Sequence, residues 1–355
     1  MFNFSRKALI LPFFYIFTLG AVSAPMSGTD VEEYIQKKLK RNDKTLRINE
    51  KNLGDSGLVV LAQSPIVRSV STLVLYKVNA TDEGLRALAE SPYLENLEAL
   101  YLEHNFITDK GAEIIASSKI FSNLKILNLY YNQITDKGAK SIANSDTLTQ
   151  LVELNLSYNQ IKGSGAIELT HSKKLINLQN IQLAYNPILK SGKQAWKRFQ
   201  LIEEFKGLYR KKQLDQVGKG LIGNFGVLVL LDFAYISELE TLDLRNNDLT
   251  DEAVIALSES KKLKGLVSLN LSKNNISDAG ARALAKSLNL KNLKKLDLNF
   301  NQIGDEGAKA IAQSPLLENL VSLKLGQNRI GAKGARALNK SVNLKNLTHP
   351  IFGFY

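Results

Sequence analysis

Residues 151–174, LVELNLSYNQIKGSGAIELTHSKK, carry two periodicities in one short stretch. Leu154 and Leu156 alternate with polar residues, as in a strand with one buried face. Gly165 and Ala166 then open a short run with helical spacing of apolar residues. The frame Leu151-x-x-Leu154-x-Leu156-x-x-Asn159-x-Ile161 recurs with Leu97, Leu124, Leu178, Leu239, Leu266, Leu293 and Leu320 in first position. Apart from one gap, successive starts lie 27 residues apart. A fixed period in this range means a stacked-repeat solenoid, in which each unit buries its apolar face only against its neighbours.

Two polar columns run through the repeats. Asn159 and its equivalents Asn105, Asn132, Asn186, Asn247, Asn274, Asn301 and Asn328 fall where the chain leaves the strand. An amide both donates and accepts, so this column is expected to satisfy the backbone of a buried turn. Asp55, Asp82, Asp109, Asp136, Asp251, Asp278 and Asp305 stand just ahead of each helical run. One per repeat, each is expected to cap its own helix rather than to join a metal site.

The chain has 355 residues, 44% of them hydrophobic, enough for one long continuous core. Its net charge of +12 is unevenly spread. Residues 1–188 carry 20 basic and 18 acidic side chains, 189–219 carry 9 and 3, 220–260 carry 1 and 8, and 261–355 carry 16 and 5. An anionic partner would therefore meet the C-terminal third or the 189–219 insert, unless these lysines simply solvate the helices.

Residues 1–24 have the layout of a secretory signal peptide: Arg6 and Lys7, an apolar run, then Ala21-Val22-Ser23-Ala24. This implies a secreted or periplasmic protein. Pro25 disfavours a cut after Ala24, so cleavage is expected after Ser23 or Ala21, the alternative being an uncleaved membrane anchor. Residues 25–42 predict a capping helix, with Val31, Tyr34, Ile35 and Leu39 on one side. Residues 43–355 form the solenoid, its first two repeats atypical, with Lys51 and Val78 in the asparagine position.

Between Leu178 and Leu239 the spacing is two repeats plus seven residues. Counting back from Leu239 places a worn repeat at Lys212, with Val217, Ile222, Gly226 and Leu230 in register. The extra residues fall in the unit before it. There Trp196, Phe199, Ile202, Phe205 and Tyr209 recur at helical spacing among Lys193, Lys197, Arg198, Arg210 and Lys211. The spacing predicts a longer basic helical repeat at 189–219, either packed on its neighbours or serving as a docking or membrane-surface helix. The apolar run 220–236 is interrupted by Asn224 and Asp232 and keeps the repeat register, so it does not read as a membrane span. Leu347 opens a truncated last turn, and Pro350 with the terminal aromatics is expected to cover the C-terminal end.

Catalytic chemistry finds no foothold. The sequence has no cysteine, and His104, His171 and His349 lie in different repeats and phases. Neither a nucleophile, a metal set nor a cofactor site can be assigned. The strand face is more informative. Tyr101, Glu103 and Tyr130 flank the core leucines, and one residue later come His104, Tyr131, Tyr158 and Tyr185. Stacked strands would set neighbours in this column about 4.7–5 Å apart. Tyrosines there supply large amphipathic area for binding, or stabilise the sheet by contact across strands.

The lettering LVSLNLSKNNISDAGARALAKS and LKKLDLNFNQIGDEGAKAIAQS resembles the ribonuclease-inhibitor-like class of leucine-rich repeats, over about residues 43–347. The resemblance implies an α/β leucine-rich-repeat solenoid: a right-handed horseshoe with a parallel concave sheet and convex helices. The units here are uniform at 27 residues, where the inhibitor's are slightly longer and alternate. The class shares architecture rather than activity. It implies a non-enzymatic protein-binding scaffold, monomeric and without cofactor, and with the signal peptide a host-directed bacterial protein. The expected contact residues are Tyr101, Glu103, His104, Tyr130, Tyr131, Tyr158 and Tyr185. A receptor for anionic glycan, lipid or nucleic-acid surfaces is the first alternative. A regulator of another enzyme, of GTPase-activator or ubiquitin-ligase-adaptor type, is the second.

Overall fold

The computed structural model describes residues 24–219 and 221–348. The leader read in residues 1–24 and the C-terminal cover thus lie almost entirely outside the described residues. Among those described, no helix is long and apolar enough to cross a membrane. The chain forms two compact units, the first reaching Leu178 and including Gln182–Ile188, the second comprising Gln179–Ile181 and Leu189 onward.

The first unit opens with α1 (Gly28–Leu39), whose Val31 and Ile35 are buried. Then strand and helix alternate: β1 (Thr45–Asn49), α2 (Gly54–Gln63), β2 (Thr72–Tyr76), α3 (Asp82–Ala89), β3 (Ala99–Tyr101), α4 (Asp109–Ser117), β4 (Ile126–Asn128), α5 (Asp136–Ala143), β5 (Glu153–Asn155) and α6 (Ser164–Thr170), while β6 (Asn180–Gln182) gives only Gln182 to this unit. Strands β1 to β5 pair in parallel and in chain order, with Leu46, Leu73, Leu100, Leu127 and Leu154 in register. These leucines are all but inaccessible to solvent. Most strands span only three residues, because the turn that follows is held by side chains rather than by more ladder.

That turn is the asparagine column's work. Asn132 Oδ1 accepts from the Ile107 amide of the preceding coil at 3.0 Å, while its Nδ2 donates to the Leu102 and Leu129 carbonyls at 3.0 and 3.1 Å. Asn105, Asn159, Asn274 and Asn301 repeat the arrangement. Each amide thus joins two coils through buried groups that water does not reach. A serine column that the sequence reading did not name does the same behind the helices. Ser118 Oγ donates to the Ala89 carbonyl at 2.7 Å, and Ser91, Ser145, Ser287, Ser314 and Ser341 have equivalent bonds.

The aspartate column differs from expectation. Each aspartate is at or near its own helix start, yet its carboxylate caps the helix of the following coil. Asp109 Oδ1 accepts from the Thr135 and Gly138 amides at 2.7 and 2.8 Å, and Oδ2 from the Thr135 hydroxyl at 2.6 Å. The helix's own cap is the threonine, Thr135 Oγ1 accepting from Lys137 N at 3.2 Å. Asp82, Asp136, Asp251, Asp278 and Asp305 likewise reach forward. Side-by-side helices place one carboxylate against the next helix's free N–H groups and positive dipole end. The recurring glycine follows from this, since a Cβ on Gly138 would stand 2.6 Å from Asp109 Oδ1. Gly138→Ala should therefore expel the carboxylate and cost about 2 kcal/mol or more, read as a lower urea midpoint.

The second unit begins with α7 (Lys190–Arg210) and α8 (Gly223–Asp232). It continues through β7 (Thr241–Asp243), α9 (Asp251–Glu259), β8 (Ser268–Asn270), α10 (Asp278–Ala285), β9 (Lys295–Asp297), α11 (Asp305–Ala312), β10 (Ser322–Lys324) and α12 (Ala332–Asn339). Its four strands are parallel and in chain order. The seven extra residues lengthen α7 to 21 residues, and it packs by Leu201 and Phe205 into the unit's core. Register persists through the worn repeat, where Val217, Ile222 and Leu230 are buried, but no strand forms. The segment Leu214–Lys219 is 3-10 helical instead. Its buried residues, Leu214 and Val217, lie three apart, which suits a 3-10 turn and defeats strand alternation.

Candidate functional site

On the strand face of the first unit, side chains stand in columns set by the parallel register. Tyr76, Glu103 and Tyr130 follow the core leucines of successive coils, with Tyr101 and Asn128 in the column before them. The next column is Lys77, His104, Tyr131, Tyr158 and Tyr185. Every member of this second column has left-handed backbone, with φ between 52° and 58°. The second unit repeats this at Asn246, Lys273, Phe300 and Gln327, each with φ of 56°. The turn demands the conformation; it does not choose the residue. Asn is the side chain best suited to it, and tyrosine pays about 1–2 kcal/mol to sit there.

Those rings form a continuous ladder. His104 lies 5.2 Å from Tyr76, 5.3 Å from Tyr130 and 4.5 Å from Tyr131, the last in a stacked pair. Tyr158 lies 5.1 Å from Tyr130, 5.9 Å from Tyr131 and 4.1 Å from Tyr185, again stacked in the last case. Tyr131 is 48% exposed and Tyr185 73%. Of the expected residues, His104, Tyr130, Tyr131, Tyr158 and Tyr185 thus come together. Tyr101 is half-buried on β3 and makes no ring contact with them among the described contacts. Tyr76 joins the ladder without having been among the expected contact residues. Its signal in the sequence is its place in the series flanking the core leucines, one repeat before Glu103, in an atypical end repeat.

Glu103 stands between Tyr76 and Tyr130. Its Oε1 accepts from Asn128 Nδ2 at 2.8 Å. Its Oε2 is the one buried side-chain polar atom, among the described residues, without a hydrogen-bond partner. Burial pushes the carboxyl above its ordinary range, against the opposing pull of its own backbone N–H and the charge of Arg47. His104 is held below its usual value by burial and by Lys77, so its ring is neutral at pH 7. The phenol of Tyr158 is raised by desolvation and by its tyrosine neighbours. The ladder is therefore an amphipathic strip of rings with one partly desolvated acid set between Tyr76 and Tyr130.

The second unit's strand face is of another kind. A cavity of about 660 Å³ is lined there by Asp215, Gln216, Thr241, Asp243, Arg245, Ser268 and Asn270. Arg245 Nε donates to Asp243 Oδ2 at 2.8 Å, so its charge is already neutralised. Lys273 lies over the Phe300 ring at 5.6 Å, and Phe300 is 49% exposed. No ladder of rings comparable to the first unit's is present among the described contacts.

Seven segments of the chain, residues 93–116, 122–143, 147–169, 237–258, 266–285, 289–312 and 317–338, match the leucine-rich-repeat family model. No curated protein matches the sequence. Among solved structures the chain is similar to internalin F of Listeria monocytogenes, at 18% identity and TM-score 0.27 over 95% of this chain and 92% of that one. Internalin C2 of the same organism shows 20% identity and TM-score 0.25, over 83% and 82% of the two chains. A leucine-rich-repeat protein of Leptospira interrogans shows 17% identity and TM-score 0.31, over 88% and 84%.

Proposed function

We propose that the chain, seven segments of which match the leucine-rich-repeat family model, is a non-enzymatic protein-binding scaffold. Its contact surface is the ring ladder on the strand face of the first unit. The observation that carries this reading is the run of touching rings Tyr76, His104, Tyr130, Tyr131, Tyr158 and Tyr185, three of them tyrosines in left-handed backbone. A rigid ladder loses little side-chain entropy when a partner covers it, and tyrosine and histidine offer both apolar area and polar tips. The signal-peptide layout of residues 1–24 supports a protein that works outside the cytoplasm.

Capture of partner proteins by the chain from Ala24 onward tests this. Tyr158→Ala and Tyr185→Ala should each weaken binding by about 1–2 kcal/mol, roughly tenfold. Tyr185 has only one ring neighbour among the described contacts, so its removal should leave the melting temperature nearly unchanged. Lys333 and Arg336, exposed on α12, should be replaceable without effect. Normal binding by both tyrosine variants with failure of the α12 variants would reject the ladder. Steep loss of binding with added salt would then favour an anionic surface, for which the 16 basic against 5 acidic residues of 261–355 are the supporting observation.

A further inference from the structure

We propose that the Glu103 carboxylate is a subsite for an arginine side chain of the protein partner. This rests on the strand face being the binding surface and adds the chemistry of one contact within it. A carboxylate oxygen taken out of water without a donor is unfavourable, and nothing in the repeat's architecture demands it. The equivalent positions one coil away on either side are Tyr76 and Tyr130, so the acid stands between two rings in its column. Oε1 is held by Asn128, which fixes the carboxylate plane and leaves Oε2 as the free acceptor.

The walls suit a guanidinium better than an ammonium. Tyr76 and Tyr130 flank the acid, and His104 contacts both of their rings, at 5.2 and 5.3 Å. A planar cation stacks on such rings while donating in its plane to a carboxylate, and it sheds water more readily than a lysine head. The chain's own cations leave the position open. Arg47 acts on Glu103 only through space, and none of the ion pairs among the described residues includes Glu103. Oε2 is covered in the free chain, so the subsite requires a neighbouring side chain to move aside. Charge steering does not supply the attraction: residues 24–188 carry 18 basic and 18 acidic side chains, and the whole chain is +12. A cationic ligand can be drawn only locally.

The test uses the chain from Ala24 onward and three probe peptides, Ac-Gly-Arg-Gly-NH2 and its lysine and citrulline counterparts, titrated by NMR. The arginine peptide should saturate, shifting Glu103, His104 and Tyr130 signals. The lysine peptide should bind several-fold more weakly, and the citrulline peptide, isosteric but uncharged, at least tenfold more weakly. Glu103→Gln keeps the side chain's shape and an acceptor for Asn128. It should lower arginine-peptide affinity at least tenfold while melting no lower than the parent, since it removes a buried unpaired charge. Glu153→Gln, an exposed acid on the same face, should change nothing. Equal binding of arginine and citrulline peptides, or an unchanged affinity in Glu103→Gln, would overturn the subsite. Failure of the ladder itself shows elsewhere, as partner capture that survives loss of Tyr158 and Tyr185, so the two readings fall separately.

Discussion

Leu156→Asp should unfold the first unit. Leu156 is fully buried, and its backbone N–H donates to the Gln182 carbonyl of the following coil at 2.9 Å. Each coil of a repeat protein contacts only its neighbours, so the core has no alternative packing into which an aspartate could retreat. A carboxylate at that place has neither water nor a cation, and the expected loss is about 4–5 kcal/mol or more. This rivals the total stability of an ordinary domain, about 5–15 kcal/mol. Far-UV circular dichroism should show lost helix, and near-UV tyrosine signals from the ladder should collapse. A melt within about 2 °C of the parent, less than a change of 1 kcal/mol produces at this size, would refute the assigned core face.

Asn159→Ala should give the next largest loss. The side chain accepts from the Ile134 amide at 2.9 Å and donates to the Leu129 and Leu156 carbonyls at 2.9 and 3.1 Å. Alanine leaves an amide and two carbonyls buried without those partners, in a site where Asn159 itself is only 6% exposed. The cost is about 2–3 kcal/mol, allowing for partial rescue of the carbonyls by water. Asn159→Asp separates this from simple loss of packing: it keeps the acceptor for Ile134, loses both donors and adds a buried charge. It should therefore be no more stable than alanine, although it fills the same space. Urea midpoints read both, and an aspartate variant as stable as the parent would show that the donors contribute nothing.

The ordering of these effects reflects how far each contact reaches along the chain. A buried leucine and its alternation are written in two or three adjacent residues, and the core was legible from them. The asparagine column was legible as structural because an amide at a strand exit has few other uses. The aspartates were legible as caps but not as caps of the following helix. Asp109 lies beside its own helix start in sequence, yet 26 residues from the Thr135 amide it holds. Only the spacing of packed helices decides between the two. The recurrent glycine follows the same logic, since it makes room for a carboxylate belonging to the previous coil.

At the candidate site the division is sharper. That tyrosines would share a column could be counted from the 27-residue period. That the column has left-handed backbone in every coil could not, because Lys77, Tyr158, Phe300 and Gln327 have no common preference for it. Tyr76 entered the ladder, and Tyr101 stayed out of its ring contacts, through ring orientations that residue spacing does not carry. The worn repeat at Lys212 kept its register but lost its strand, because Leu214 and Val217 pack at 3-10 spacing once buried. Sequence alone determined the period, the strand–helix alternation and the identity of the core leucines, since each depends on residues a few positions apart. Tertiary structure alone decided which helix each aspartate caps, which rings touch, and that Glu103 keeps one oxygen without a donor. Those depend on groups about one full coil apart, brought together only when the coils stack.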